Sequence, residues 1–489
     1  MSERAAADLV LGVDVGTSGV GVVAQDAEGV VVAHADHPVP LHTPRPGWTE
    51  QDPADWLAAA EAGLAEVVGA VGGGRVGAVA LSGQMHGMVP LDAQDRVLRR
   101  ALLWNDQRTA AEVDEIHERV GRERLIARTG NPAVTGFQLP KVLWLRRHEP
   151  DAFARTARVL FPKDYLGLHL TGEAVAEPCD ASGSGAYHLA SGAWDDEILA
   201  ALDLGPGLWP RLVASHDVIG TLRTDVAGRL GLRPDTPVVA GAGDNAAAAT
   251  GMALGSAHGE VGSVSLGTSG VLQAPIASPS PDPDGRVHLF AHADGAYLLL
   301  GVTLAAAGSL RWYRDTFAPG RAYDDLIADA ARAEVGAGGV TYKPYLAGER
   351  TPHLRADLRG SIHGLSLATE HADVVRAVLE GVTFSLREAL DVMAPLTRPE
   401  RLVATGGGAA SDTWLQMLAN ALGLPLGRPV NDDGTPREVG AAEGAAWLAW
   451  RALGYAPERT PHADVWFEPD ADVRPAVEEA YARYLGVGV

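Results

Sequence analysis

The sequence predicts an α/β protein built from two related domains. Three observations carry that prediction. A short motif occurs twice in matched contexts: Val15-Gly16-Thr17-Ser18-Gly19 follows the β-type run Leu9 to Val13, and Leu266-Gly267-Thr268-Ser269-Gly270 follows Val261 to Ser265. Strand-like and helix-like stretches alternate through Gly251. At 489 residues the chain exceeds what one hydrophobic core supports. Each motif reads as strand–turn–strand. Glycine permits the tight turn and a close backbone approach, and the N–H groups and hydroxyls at the tip suit an anion such as phosphate. One copy would be ordinary turn chemistry. Two copies in the same strand context predict a duplicated architecture that clamps a polyphosphate between its lobes.

The composition narrows the classes of partner. A formal net charge of −22 argues against a nucleic-acid surface and against an anionic membrane. A nucleotide is also an anion, so its site must be made locally positive by backbone dipoles, metal and a few arginines. Lysine occurs only at 141, 163 and 343, a scarcity that reads as compositional bias. Cys179 is the sole cysteine, so no intrachain disulfide forms and a reducing compartment is expected. The start of the chain lacks a basic-then-apolar signal segment, and no apolar run is long enough for a bilayer. Together these predict a cytoplasmic enzyme.

Taken in order, Leu9 to Val32 predicts a pair of strands with a turn at Asp26–Gly29, and Glu50 to Val71 has helical spacing through Trp56, Leu57, Leu64, Val67 and Val68. Val76 to Leu81 is a strand, and Ser82-Gly83-Gln84-Met85-His86-Gly87 sits at its end, where α/β sheets present ligand contacts. A domain boundary falls near 252–260, giving an N-terminal domain 1–253 and a C-terminal domain 254–489. The segment 278–285, rich in Pro and Asp, is a surface loop. In the second half, Asp373 to Met393 is a helix with Val374, Val378, Val382 and Leu386 on one stripe, and Ser411 to Leu422 is a helix capped by Ser411 and stopped by Gly423.

Five places carry candidate chemistry. Asp14 ends the first strand beside a phosphate turn; it either bonds turn N–H groups or holds Mg²⁺ against phosphate, since Mg²⁺ takes one or two carboxylates plus phosphate oxygens. Gly241-Ala242-Gly243-Asp244-Asn245-Ala246 has the spacing of a dinucleotide fingerprint, but no acidic residue closes a strand about 20 residues later, so that reading is rejected. The glycines instead bring Asp244 to the start of the Ala-rich helix 245–253. There it is a helix cap or, beside two phosphate hairpins, a base that accepts a hydroxyl proton. Met85 and His86, bracketed by Gly83 and Gly87, suit a polyol or a structural role, and Trp104-Asn105-Asp106-Gln107-Arg108 is either a sugar-binding wall or core. Thr405-Gly406-Gly407-Gly408 between a strand and the helix at Ser411 suits a phosphate or a flat-lying adenosine; no Gly-Lys-Thr/Ser follows, so it is not a P-loop.

Together these residues resemble the FGGY carbohydrate kinases, and within them the xylulokinase branch, from Leu11 to about Leu453. Gly12 to Ser18 resembles the first phosphate motif of that family, and Ser82 to Gly87 matches the hexapeptide of the branch. Gly243 to Ala246 matches the catalytic-Asp motif, Ser265 to Gly270 the second phosphate motif and Gly406 to Ser411 the adenosine motif. Signature positions recur at Gly360, Ile362, Gly364, Leu365, Asp373, Val374 and Ala377 to Glu380, and at Lys141 to Leu145 with Arg147 and His148. Gln138 departs where the family has Pro, Ser or Thr, and Asn431 to Gly440, with Asp432 and Asp433, is more charged than usual.

The resemblance implies an actin/hexokinase-like ATPase fold (ribonuclease H-like), with the active site in the cleft between the two domains. It implies ATP-dependent phosphorylation of a ketopentose, D-xylulose to D-xylulose 5-phosphate. Asp244 would be the base, with Met85, His86, Asp244 and Asn245 on the sugar. Gly16, Thr17, Ser18, Gly267, Thr268 and Ser269 would hold phosphates, Gly407, Gly408 and Ser411 the adenosine, and Asp14 the Mg²⁺. A kinase for another ketose or polyol (ribulose, an alditol) and a catalytically silent sugar or nucleotide sensor stay open as alternatives, as does a homodimer.

Overall fold

The computed structural model describes residues 8–431 and 433–488, so Asp432 lies outside the described residues. Contacts divide the chain into two compact units. The first holds the chain up to Gly255 together with Leu289–Tyr297 and Val439–Arg459; the second holds Ser256–His288, Leu298–Glu438 and the chain from Thr460. The units are interleaved rather than consecutive: two stretches that a division at 253/254 assigns to the second half belong to the first unit.

The first unit is built on a sheet of β1 (Leu9–Val15), β2 (Gly19–Gln25), β3 (Val31–Pro38), β4 (Val76–Gly83), β5 (Val218–Thr221) and β6 (Pro237–Gly243). Their order is β5-β6-β4-β1-β2-β3. β1 is antiparallel to β2 and parallel to β4, and β4 is parallel to β6. β1 and β4 are apolar on nearly every residue because both faces of the sheet are covered. On one face lies α1 (Pro53–Val71), started by the Asp52 cap on the Ala54 N–H and by Pro53 in the first turn. The helix therefore begins three residues later than its spacing predicts, and Glu50–Gln51 pairs instead with Ala101–Leu102 as a short ribbon. Three further helices of this unit matter for the site: α2 (Gln138–His148), the short α3 (Pro178–Ser182) and α4 (Asp244–Gly251).

The second unit repeats the arrangement. β7 (Val261–Leu266) and β8 (Gly270–Ile276) form the second hairpin, followed by β9 (Tyr297–Thr303), β10 (Arg401–Thr405), β11 (Leu426–Arg428) and β12 (Val465–Phe467). Their order is β9-β8-β7-β10-β11-β12. β7 is antiparallel to β8 and parallel to β10, as β1 is to β2 and β4. Helices α5 (Ala307–Phe317), α6 (Tyr323–Arg332), α7 (His371–Met393) and α8 (Asp412–Leu422) belong to this unit. The sequence stripe on α7 understates its burial, since every residue from Val375 to Leu386 is enclosed. α8 starts on the Ser411 hydroxyl, which accepts the Trp414 N–H, and ends on left-handed Gly423. Around Asp433 the chain turns tightly, with the Asn431 N–H on the Thr435 carbonyl at 2.8 Å.

α9 (Ala441–Ala452) returns to the first unit, where Ala445, Ala446, Ala449 and Trp450 pack with Val10, Ala78, Ala80 and Val239. Small residues set that approach: a Cβ on Gly12 would stand 1.9 Å from the Ala442 carbonyl oxygen, and one on Gly444 1.7 Å from that of Ala247. Among the described residues, no helix is long and apolar enough to cross a membrane.

Candidate active site

The site in the first unit lies at the ends of β1, β4 and β6. Asp14 is the penultimate residue of β1, paired with Gly21 on one side and Ser82 on the other. Burial pushes its carboxyl up to about 6, opposed by the Ser82 side chain and reinforced by the charge of Asp36. Its Oδ1 is buried without a hydrogen-bond partner. The turn after it is closed by the Gly16 N–H on the Gly19 carbonyl at 2.9 Å. The Thr17 hydroxyl is committed inside the protein: it donates to Gln84 Oε1 at 3.1 Å and accepts from Trp104 Nε1 at 3.0 Å. Gln51 Nε2 holds the Thr17 carbonyl at 2.8 Å. Trp104 thus braces the first turn, while Asp106 and Arg108 pair with each other at 2.8 Å and Arg108 lies 3.8 Å over the ring of Trp48. Three side chains of the segment read as a sugar wall or core, Trp104, Asp106 and Arg108, are therefore scaffold.

β6 ends with a register shift between Val239 and Ala242. Gly241 takes φ +75°, and a Cβ there would stand 1.5 Å from the Leu81 carbonyl oxygen. At Gly243 a Cβ would meet Met85 Cγ at 2.7 Å and Asp180 Oδ1 at 3.0 Å. The glycines of the spurious dinucleotide spacing are therefore packing requirements, and they deliver Asp244 as the first residue of α4. Its Oδ1 accepts the Asn245 backbone N–H at 2.7 Å and Asn245 Nδ2 at 2.9 Å. Burial pushes Asp244 up to about 7, and the charge of Asp14 adds to the rise. Met85 is buried, with its sulfur 3.8 Å from Asn245 Nδ2. His86 adopts φ +69°, uncommon for a non-glycine residue although His, like Asn and Asp, is enriched there. Its Nδ1 lies 2.8 Å from the Gly183 carbonyl. A carbonyl only accepts, so Nδ1 carries a proton; whenever the ring is neutral, Nε2 is then the acceptor. The ring stacks on Phe137 at 4.8 Å.

Beneath Asp244 is a group that the sequence reading misses. Lys163 Nζ, fully buried, lies 2.6 Å from Asp164, 3.5 Å from Glu177 and 3.3 Å from Asp180. Glu177 accepts the Cys179 and Asp180 N–H groups at 2.8 and 2.9 Å. Burial holds the Asp180 carboxyl well above the usual carboxylate range; Lys163 pulls it down, and the charges of Asp164, Glu177 and Asp244 push it up. The available signal was the rarity of lysine, since all three lysines of the chain are buried.

The second unit carries a cavity of about 780 Å³. Gly267, Thr268, Gly407, Gly408 and Ser411 line it; Ser269 is outside the lining. Gly406 (φ +82°) and Gly408 are pressed against Leu266, whereas a Cβ on Gly407 would meet nothing within 4 Å, so that glycine fronts open space. The start of α5 binds the hairpin: the Ala307 N–H donates to the Gly267 carbonyl at 2.8 Å and the Ala306 N–H to that of Thr268 at 2.9 Å. Arg311 of α5 and Tyr323 and Asp324 of α6 complete the wall. These three were not legible in sequence because no motif marks them.

Two α/β units, each opening on a Gly-Thr-Ser-Gly hairpin whose first strand pairs antiparallel with the second and parallel with a third, define the actin/hexokinase-like ATPase fold. The N-terminal domain profile of the FGGY family of carbohydrate kinases matches residues 9–251, and the C-terminal domain profile matches residues 262–453. The chain is 38% identical over 450 residues to the xylulose kinase of Bacillus subtilis (strain 168), covering 91% of this chain and 88% of that one. The crystal structure of a xyloylose kinase from Brucella ovis superposes with a TM-score of 0.90 at 38% identity, covering 98% of both chains. That of a gluconate kinase from Lactobacillus acidophilus superposes with a TM-score of 0.91 at 27% identity, covering 98% of this chain and 97% of the other. The chain belongs to the FGGY family of carbohydrate kinases. It is a sugar kinase, and use of ATP comes with the family.

Proposed function

We propose that this enzyme transfers the γ-phosphoryl group of ATP to the O5 hydroxyl of D-xylulose, giving D-xylulose 5-phosphate and ADP. The observation that carries the reading is Asp244: a carboxylate at the start of a helix, raised to about 7 and fixed through one oxygen by Asn245. A base with a pKa near the working pH suits proton removal from an alcohol. The likeness to xylulose kinases at 38% identity over 91% of the chain supports the substrate. The likeness to a gluconate kinase supports a second reading, phosphorylation of another ketose or polyol.

In this reading Asp244 accepts the O5 proton as the hydroxyl attacks. Asn245 Nδ2 and the Met85 backbone hold neighbouring hydroxyls, and His86 Nε2 accepts from another. The N–H groups of Thr17 and Ser18 and the turn at Gly267–Thr268 hold phosphate oxygens. Gly407, Gly408 and Ser411 carry the adenosine in the cavity of the second unit. Asp14 fits Mg²⁺: its Oδ1 is an orphaned buried acceptor, and no group of three or more metal-binding side chains gathers among the described residues, so most ligands would be water and phosphate. When bound there, the ion would offset phosphate charge and lower the cost of ionising Asp14. Phosphoryl transfer has a loose transition state, so positioning and charge stabilisation supply most of the acceleration. Action in the cytoplasm is part of the proposal, supported by the one cysteine, which is buried and unpaired.

The test is Asp244→Asn under single-turnover conditions. Phosphoryl transfer should slow by about 10²–10⁴-fold, the usual contribution of a general base. D-Xylulose should still bind, because an amide keeps hydrogen bonds to the sugar. Transfer within a few-fold of wild type would remove Asp244 from the mechanism.

A further inference from the structure

His86 sits at positive φ, +69°, a region uncommon for residues other than glycine. One turn of α2 holds it there. Lys141 Nζ donates to the His86 carbonyl at 2.7 Å and to that of Gly136 at 2.5 Å. Gln138 Nε2 donates to the Gly87 carbonyl at 3.0 Å and approaches that of Leu160 at 3.4 Å. Gln138 Oε1 accepts the Trp209 indole N–H at 2.8 Å. Phe137, the residue before the helix, supplies the ring on which His86 stacks. Gln138 and Lys141 are both fully buried and three residues apart, so they share one helix face.

The Gln138 amide does two jobs with one neutral side chain: its N–H donates to the Gly87 carbonyl and its oxygen accepts the Trp209 indole N–H.

We propose that Gln138, together with Lys141, is a positioning residue for the acceptor sugar: it fixes the carbonyls of the 86–87 loop, and through them aims the His86 ring at a sugar hydroxyl. The amide at 138 thereby helps set which sugar this chain prefers. The inference rests on the reading of His86 as a sugar contact. It differs from a purely structural role, which would lower the amount of folded enzyme and leave both Michaelis constants alone.

The experiment compares Gln138→Met, Gln138→Thr and His86→Ala with wild type, measuring kcat, KM for D-xylulose, KM for ATP and the melting temperature. Gln138→Met keeps the volume and loses the hydrogen bonds. Its sugar KM should rise about 10-fold, the scale of one or two buried hydrogen bonds, while kcat and the ATP KM stay within about twofold. Gln138→Thr should also shift the ratio of kcat/KM between D-xylulose and D-ribulose by about threefold or more. If Gln138→Met does not fold, Gln138→Thr carries the test, since threonine keeps a neutral hydroxyl at this position. A raised sugar KM in His86→Ala with unchanged sugar KM in both Gln138 variants overturns the inference alone. An unchanged sugar KM in His86→Ala overturns the reading beneath it as well. A fall in kcat with both KM values unchanged assigns Gln138 to folding and also overturns the inference.

Discussion

Asp14 and Asp244 are held where ionisation opposes folding. Burial raises the first to about 6 and the second to about 7, with the charge of Asp14 adding to the rise of Asp244. An unfolded aspartate titrates near 3.9. The folded protein therefore binds these protons more tightly than the unfolded chain. The stabilisation from Asp244 is fully present below about pH 4 and is lost as pH rises through about 7. In metal-free buffer, Asp244→Asn should match wild type most closely near pH 4 and gain on it up to pH 7. Each pKa unit is worth about 1.4 kcal/mol, and with partial exposure of the residue the gain should be on the order of 2 kcal/mol. Chemical denaturation of both proteins across pH 4–8 checks this; a stability difference independent of pH would contradict it. At this scale a motif frames Asp14, His86 and Asp244, and the structure places them at the end of β1, just past the end of β4 and at the start of α4. The sequence was silent on Lys163 and Asp180, which are distant along the chain and meet only through packing. It was also silent on Thr17: its hydroxyl looks like a phosphate ligand in the motif, but Gln84 and Trp104 take it up.

Elements place those residues. The bulge in β6 is the clearest case, because it turns the strand end so that Asp244 starts α4. Gly241 has positive φ and no room for a Cβ against the Leu81 carbonyl. Gly241→Ala should cost on the order of 3 kcal/mol, from backbone strain plus the clash, and should lower kcat beyond the loss of folded enzyme. Denaturant melts with active-site-normalised kcat check this; wild-type stability with wild-type kcat would show that the bulge does not aim Asp244. Strand–turn–helix punctuation was legible for the same reason the elements form: Asp52 and Ser411 cap helices, and Gly423 stops one. The start of α1 was misplaced because helical spacing ran on through Glu50 and Gln51, whereas Asp52-Pro53 sets the true start and cross-strand pairing takes the two residues before it. The extra burial of α7 was hidden because Arg376, Glu380 and Ser385 read as a polar face, yet Arg376 and Glu380 pair at 2.7 Å inside the unit.

Across the whole molecule, the two hairpins announce a duplication that the central strands bear out: β2-β1-β4 in one unit and β8-β7-β10 in the other, each with an antiparallel hairpin and a parallel third strand. What the sequence did not convey is the interleaving. Nothing in the composition of α9 marks it for the first unit; its alanines and Gly444 suit any close helix–sheet contact, and only the fit against Gly12 and Ala247 decides. The proposed reaction takes its acceptor groups from the first unit and its nucleotide from the cavity of the second. ADP release, measured with D-xylulose, D-ribulose, xylitol and D-gluconate and with the product identified by ³¹P NMR, tests it most directly. The predicted result is the highest kcat/KM for D-xylulose, a phosphomonoester at C5, and slow ADP release without sugar. A higher kcat/KM for an alditol or gluconate, or ADP release that yields inorganic phosphate and no sugar phosphate, would contradict it.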